Sequence, residues 1–267
     1  MTVGDRELVE TFERDGVVLL RDAFDDDWIA ELSAAVDRVM ASPGPLSKDY
    51  AKEGKGKFFT DHQMRLRDEG FRRFLTDSPA VSLAASLMRA SRLNLIDEHL
   101  LVKEPGTENP TYWHQDFPYF EVHGDQFASY WIPLDPVTRE SGRMRFVRGS
   151  HRWGKIYQPI RIGLGERVAE AEEFDGPAPD IDAAADKYDI AEFDLEPGDC
   201  LFFHSLTLHG AHPNRTADVR RRAHSLRFAG DDATFKSRPY IPSQAGTREL
   251  VDGGPLDSEQ YPRVWPA

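Results

Sequence analysis

Hydrophobic positions in the first ninety residues recur mainly at helical spacing. "DRELVETFERDG" is rich in helix formers and ends at Gly16, a plausible helix stop. "VVLL" follows as a short buried strand. After the acidic run "DDD", Trp28, Leu32, Val36, Val39 and Met40 share one helical face, and the acids suit the positive end of the helix dipole. "SPAVSLAASLMRAS" predicts another helix, with Ser78 as cap and Pro79 in its first turn.

From about residue 93 the pattern shortens. "LNLIDEHLLVK", "TYWHQDF", "FASYWIPLD", "RMRFV", "YDIAEFDL", "DCLFFHSLTLH" and "VRRRAHSLRFA" are rich in aromatic and β-branched residues and are separated by Gly, Pro or Asp turns. Such a series predicts a mostly β fold behind N-terminal helices, an antiparallel barrel or sandwich that a jelly roll fits. The organisation expected is one domain over 1–267, with helical support over 1–92, a core over 93–235 and a tail over 236–267. Residues 163–188 are acidic and weakly patterned, and predict a long inserted loop of the kind that often forms a lid.

Composition narrows the function classes. The chain has 267 residues, 40% of them hydrophobic, enough for a substantial core. A net charge of −13 argues against a nucleic-acid partner, though not against a local basic pocket for a small anion. No apolar run approaches the roughly 20 residues of a membrane span, and the charged N-terminus does not read as a signal peptide. A single cysteine, Cys200, fits a reducing compartment. A cytoplasmic protein acting on a small molecule, without nucleic acid or membrane, is the expectation; the oligomeric state is left open.

The candidate chemistry lies in "YWHQDFPYFEVHGDQF", which contains His-x-Asp twice, at His114/Asp116 and His123/Asp125. With 9 histidines in a chain this acidic, about one such pattern is expected by chance, so context must decide. His114 and Asp116 sit in a run with strand character, where alternation puts both side chains on one face. His123 and Asp125 flank Gly124, which marks a turn and removes that argument.

A third ligand completing two histidines and one carboxylate would leave open positions on a metal. "FFHSLTLHGAHPNRT" offers His204, His209 and His212. If residues 202–209 form one strand, His209 falls on the Ser/Thr-lined face and His204 on the other, so His204 reads as structural and His209 as the candidate. The strand after the "PNRT" turn carries Arg220, Arg221, Arg222 and Arg227, any of which could clamp a carboxylate. Alternation does not separate Arg220 from Arg222.

Several motifs in order, "ERDGVVLLRDAF", "LVKEPGTENPTYWHQD", "WIPLDPVTRESGRMRFVRGSHRWG", "GDCLFFHSLTLHGAHPNRT" and "RRAHSLRFAGDD", resemble the phytanoyl-CoA dioxygenase family of iron(II)/2-oxoglutarate oxygenases over roughly residues 8–235. The resemblance implies His114, Asp116 and His209 as iron ligands. It implies Arg220, eleven residues after the second histidine, as the partner of the distal carboxylate of 2-oxoglutarate. Trp131 would wall the cosubstrate pocket, Lys103 and Thr111 match positions that often contact the cosubstrate, and His151 falls at a turn as a structural residue. Family members often carry "HGS" where this chain has "HGA", so Ala211 lacks a hydroxyl that could assist the clamp.

The resemblance further implies iron(II), 2-oxoglutarate and O2 as the reacting set, with release of succinate and CO2. Hydroxylation of an unactivated C–H, or another oxidation such as desaturation, is the expected outcome, because Asp116 stands where related halogenases have a small residue. The fold the resemblance implies is a double-stranded β-helix, a cupin-like jelly roll. Two rivals share the same residues: a cupin-like metal oxygenase that needs no 2-oxoglutarate, and a non-catalytic jelly-roll binding protein. The basic run in "KDYAKEGKGKFFTDHQMRLRDEGFRR" could meet an anionic substrate but reads more readily as a solvated face. A free, mostly apolar metabolite is therefore expected rather than a CoA ester.

Overall fold

The computed structural model describes residues 3–50, 56–162, 164–168, 173–241 and 249–266. Parts of the expected loop, of the basic run and of the tail therefore lie outside the described residues.

Helix α1 (Val3–Asp15) stops at Gly16, whose φ of +74° only glycine adopts without strain. The chain then enters strand β1 (Val17–Leu20). Helix α2 (Asp26–Ala41) begins where the Asp25 carboxylate accepts from the Trp28 backbone N–H at 3.0 Å, and buries Leu32, Val36 and Val39 as the apolar spacing predicts. Helices α3 (Glu69–Asp77) and α4 (Ala80–Leu87) follow. The N-cap of α4 is Pro79, without a side-chain cap bond; the expected cap Ser78 lies one residue earlier, its Oγ accepting from the Ala80 N–H at 3.3 Å.

Two strands were not anticipated in this helical half: the short β2 (Lys48–Asp49) and β3 (Phe58–His62). Beyond it, β4 (Leu93–Lys103), β7 (Phe127–Pro133), β10 (Cys200–His204) and β12 (Arg221–Ala229) join them and β1 in one antiparallel sheet. The order is β1-β10-β7-β12-β4-β3-β2, with β14 (Arg263–Trp265) also pairing with β4. A second antiparallel sheet has the order β5 (Thr111–His114), β11 (His209–Ala211), β8 (Met144–Val147) and β9 (Ile190–Glu192). A small pair, β6 (Val122–His123) and β13 (Thr234–Phe235), lies apart.

Alternation divides the large sheet into two faces. Leu100, Tyr130, Phe202 and Phe228 pack outward under Val36, Phe71 and Phe74 of the helices. Leu101, Trp131, Leu201 and Phe203 point the other way, towards Met144, Phe146 and Ala211 of the small sheet. Burial on both faces explains why "FASYWIP" is apolar throughout instead of alternating. The result is the jelly roll expected from the sequence.

One expected strand is split. Residues 202–209 do not run straight: β10 ends at His204 in the large sheet, a turn follows, and β11 begins at His209 in the small one. The chain changes sheets because the Thr207 N–H closes a turn on the His204 carbonyl at 2.9 Å, while Thr207 Oγ1 donates to the Gly16 carbonyl at 2.8 Å.

Candidate active site

Between the two sheets lies a cavity of about 910 Å³. On its wall His114, at the end of β5, lies opposite His209, at the start of β11. Asp116 joins them by a different route from the strand alternation expected. It is helical in backbone (φ −71°, ψ −35°) and opens a 3-10 turn over Phe117–Tyr119, which swings its carboxylate back towards His114. Gln115 anchors the bend: its amide donates to the carbonyls of Lys155 and Leu206, both at 2.9 Å.

The three side chains are buried and converge. Each imidazole Nδ1 donates to a backbone carbonyl, His114 to Tyr112 at 2.8 Å and His209 to Thr207 at 2.9 Å. That fixes the protons on Nδ1 and leaves both Nε2 lone pairs available, each 3.8 Å from Asp116 Oδ1. Burial holds both imidazoles neutral, pushing His114 down to about 3 and lowering His209. Burial alone would raise the Asp116 carboxyl, but the charge and hydrogen bonds of the Arg227 guanidinium hold it below the usual range. Two neutral imidazoles and an ionised carboxylate, within 4.8 Å of one another, are a donor set that fits iron(II) with open positions remaining.

Asp116 is itself held. Ser129 Oγ donates to Oδ2 at 2.7 Å, and Arg227 donates from Nε to Oδ2 at 3.0 Å and from Nη2 to Oδ1 at 3.2 Å. These bonds orient the carboxylate and leave its Oδ1 turned to the histidines.

The structure corrects the arginine. Arg220 does not enter the cavity: its side chain is 42% exposed and pairs with Glu104 on the surface, Nη2 to Oε1 at 2.8 Å. The inward residue is Arg221, which pairs with Lys103 on β4 and shares its face with Ala223, Ser225 and Arg227. Alternation does group Arg220 with Arg222, but on the outer side, where Arg222 meets Asp135. The residue eleven after His209 thus lies on the outer face, since the turn before β12 sets the parity and its length is not fixed by spacing. Arg221 is buried, and its Nε and Nη1 have no hydrogen-bond partner. Burial lowers its pKa to about 10. Its guanidinium carbon lies 5.2 Å from the centre of the Trp131 ring.

Trp131, Thr111 and Ala211 line the same cavity. Lys103 stands behind it: its Nζ donates to the His212 carbonyl at 3.0 Å and lies 5.2 Å from the centre of the Phe58 ring. The other His-x-Asp pair forms no site. His123 and Asp125 are exposed about Gly124, and Asp125 instead meets His204, 3.5 Å from Nε2. His204 packs against Phe12 and His151, and His212 meets Glu192 at 3.1 Å.

A second group on the cavity wall, His62, Asp97 and His99, has the same composition as the first and escaped the sequence reading. Its signal was present in "FFTDH" and "LIDEH", but the first lay inside a basic run read as solvated surface.

Comparisons with known proteins agree with this geometry. The profile of the phytanoyl-CoA dioxygenase (PhyH) family matches residues 12–223. A probable phytanoyl-CoA dioxygenase of Caenorhabditis elegans is 24% identical, covering 90% of this chain and 78% of the relative. An ectoine dioxygenase of Bordetella bronchiseptica is also 24% identical, covering 77% and 69%. Among solved structures, the epimerase SnoN in complex with Fe3+, alpha ketoglutarate and nogalamycin RO superposes with a TM-score of 0.77 at 25% identity, covering 98% of both chains. The match over most of the chain and the buried His-Asp-His cluster lead to one conclusion: this chain belongs to the phytanoyl-CoA dioxygenase family of iron(II)/2-oxoglutarate-dependent dioxygenases.

Proposed function

We propose that the protein hydroxylates an unactivated C–H bond of a small, mostly apolar metabolite, with conversion of 2-oxoglutarate and O2 to succinate and CO2. The observation that carries this reading is the unpartnered guanidinium of Arg221 in the same cavity as the His114, Asp116 and His209 cluster. A buried arginine without a carboxylate is costly unless an anion completes it. An organic dicarboxylate would do so with one end while its other end reaches the metal-binding cluster.

His114, Asp116 and His209 would hold the metal, and Arg221, in place of the expected Arg220, would take the distal carboxylate as a bidentate pair. Bound there, iron(II) supplies the redox chemistry that couples decarboxylation of 2-oxoglutarate to C–H oxidation. Trp131 stacks on Arg221 and keeps water from its face. Thr111 contributes a hydroxyl to the wall, and Lys103 supports the site from behind through its buried positive charge. With Ala211 in place of a serine, the clamp rests on Arg221. The carboxylate of Asp116 fills the position a halide would need, which favours hydroxylation. Ile160 and Ile162, just before the long loop, and Val168 within it line the cavity and would exclude water from the reacting centre. The acidic charge and the buried free Cys200 fit a cytoplasmic enzyme.

Purified protein supplied with iron(II), ascorbate and 2-oxoglutarate should form succinate. Normal turnover in Asp116→Ala or His209→Ala would sink the assignment. Unchanged turnover in Arg221→Ala would favour a metal oxygenase of the same fold that does without 2-oxoglutarate.

A further inference from the structure

Two groups of His and Asp side chains line the cavity, each with its donor atoms within 4.8 Å of one another. His62 on β3 lies directly opposite His99 on β4, and the two rings stack with centres 4.0 Å apart and planes 14° from parallel. Asp97, two residues before His99 on the same face, receives His62 Nδ1 at 3.1 Å on one carboxylate oxygen and lies 3.3 Å from it with the other. Arg227 Nη1 donates to Asp97 at 3.1 Å while its other nitrogens hold Asp116. One arginine thus links the metal-binding carboxylate to the second cluster.

One feature separates the two clusters: His62 Nδ1 is committed to the Asp97 carboxylate itself, whereas at the other cluster both imidazole Nδ1 atoms are committed to backbone carbonyls and Asp116 Oδ1 faces two imidazole lone pairs.

What remains is a hydrogen-bonding site for an organic group. A His62 imidazole that donates from Nδ1 to Asp97 presents Nε2 as an acceptor. The side chain keeps 29% of its surface accessible and lines the cavity. Beside it, the buried His99 Nε2 has no partner. Arg227 and His62 Nδ1 already hydrogen-bond the Asp97 carboxylate, so the open acceptor there is the His62 imidazole. Ile96, Phe120 and Ile241 supply apolar wall nearby.

We propose that His62, oriented by Asp97 and backed by His99, anchors the substrate by accepting a hydrogen bond from a hydroxyl group on an otherwise apolar molecule. This rests on the reading of the cavity as an oxygenase site and sharpens it: the substrate is an alcohol or phenol. The hydroxyl held at His62 would fix which carbon faces the His114, Asp116 and His209 cluster.

The test uses full-length protein loaded with iron(II) and 2-oxoglutarate under nitrogen, with 2-naphthol and 2-methoxynaphthalene as matched probes. Affinities are read by ligand-observed NMR titration. 2-Naphthol should bind about tenfold more tightly than its methyl ether, the worth of one hydrogen bond to a prepared acceptor. His62→Phe should close that gap, and His62→Gln, which keeps an acceptor, should restore part of it. Equal affinity of the two probes, no binding of 2-naphthol at millimolar concentration, or a gap that survives in His62→Phe overturns the proposal. So does a second equivalent of cobalt(II) bound per chain and lost in His62→Ala, which would make the cluster a metal site. Calorimetric titration of 2-oxoglutarate into the same sample keeps the two readings apart: loss of that binding defeats the proposed function, whereas its presence with no hydroxyl preference defeats only this inference.

Discussion

Arg221 and Lys103 are direct cross-strand partners on β12 and β4, two buried cations with no acidic partner among the described residues. Burial and the nearby Arg221 depress the Lys103 ammonium well below its usual range. Arg221 faces the cavity with Lys103 behind it, and a carboxylate is what would complete the guanidinium. Arg221→Gln should therefore raise the KM for 2-oxoglutarate about a hundredfold, the scale of losing a buried charge-assisted bidentate pair. Arg220→Ala, which disturbs only a surface pair with Glu104, should change it by less than about twofold. Steady-state succinate formation against 2-oxoglutarate concentration checks both.

Removing a member of the His114, Asp116 and His209 cluster should abolish stoichiometric iron binding. Metal analysis after anaerobic loading of His209→Ala and Asp116→Ala should show less than a tenth of the wild-type content at equal protein. Retention of iron in either variant would place the metal elsewhere.

Arg227 contacts both Asp116 and Asp97, so its loss should act through the metal-binding carboxylate. Arg227→Met keeps much of the volume and removes the donors. Iron affinity should fall about 10- to 100-fold, the usual effect of removing a bond that orients a ligand. Ser129→Ala, which removes a single donor to Oδ2, should fall by less.

Glu98 faces the other way on β4, into the helices, with Oε1 buried and unpartnered. Burial pushes its carboxyl up to about 7. A raised carboxyl binds its proton more tightly when folded, so its burden on stability is absent below its unfolded pKa and grows as pH rises to the folded value. Glu98→Gln should stabilise the fold above about pH 7, by up to the order of 3 kcal/mol, and give no gain near pH 4. Thermal melts of both proteins across that range check the sign.

Strand β4 was legible to the residue because its eleven residues form a central strand bounded by turn signals, and α2 because its apolar spacing and acidic cap agree. The short strand β3 was not, since basic residues before and after "FFTDH" mask two buried phenylalanines and the cavity histidine. The structure gathers His114 and Asp116 with His209 and leaves His123 and Asp125 exposed, but a 3-10 turn, not strand alternation, brings the Asp116 carboxylate round.

By itself the sequence determined the β-rich core, the helical cover and the residue types of the site, because apolar periodicity, turn residues and ordered motifs are local properties. Only the tertiary structure decided that Arg221 and not Arg220 faces inward, that His209 begins a strand in the other sheet, and that His62 meets Asp97 across thirty-odd residues. Those outcomes depend on strand parity and register, where a shift of one residue in a turn moves every following side chain to the opposite face.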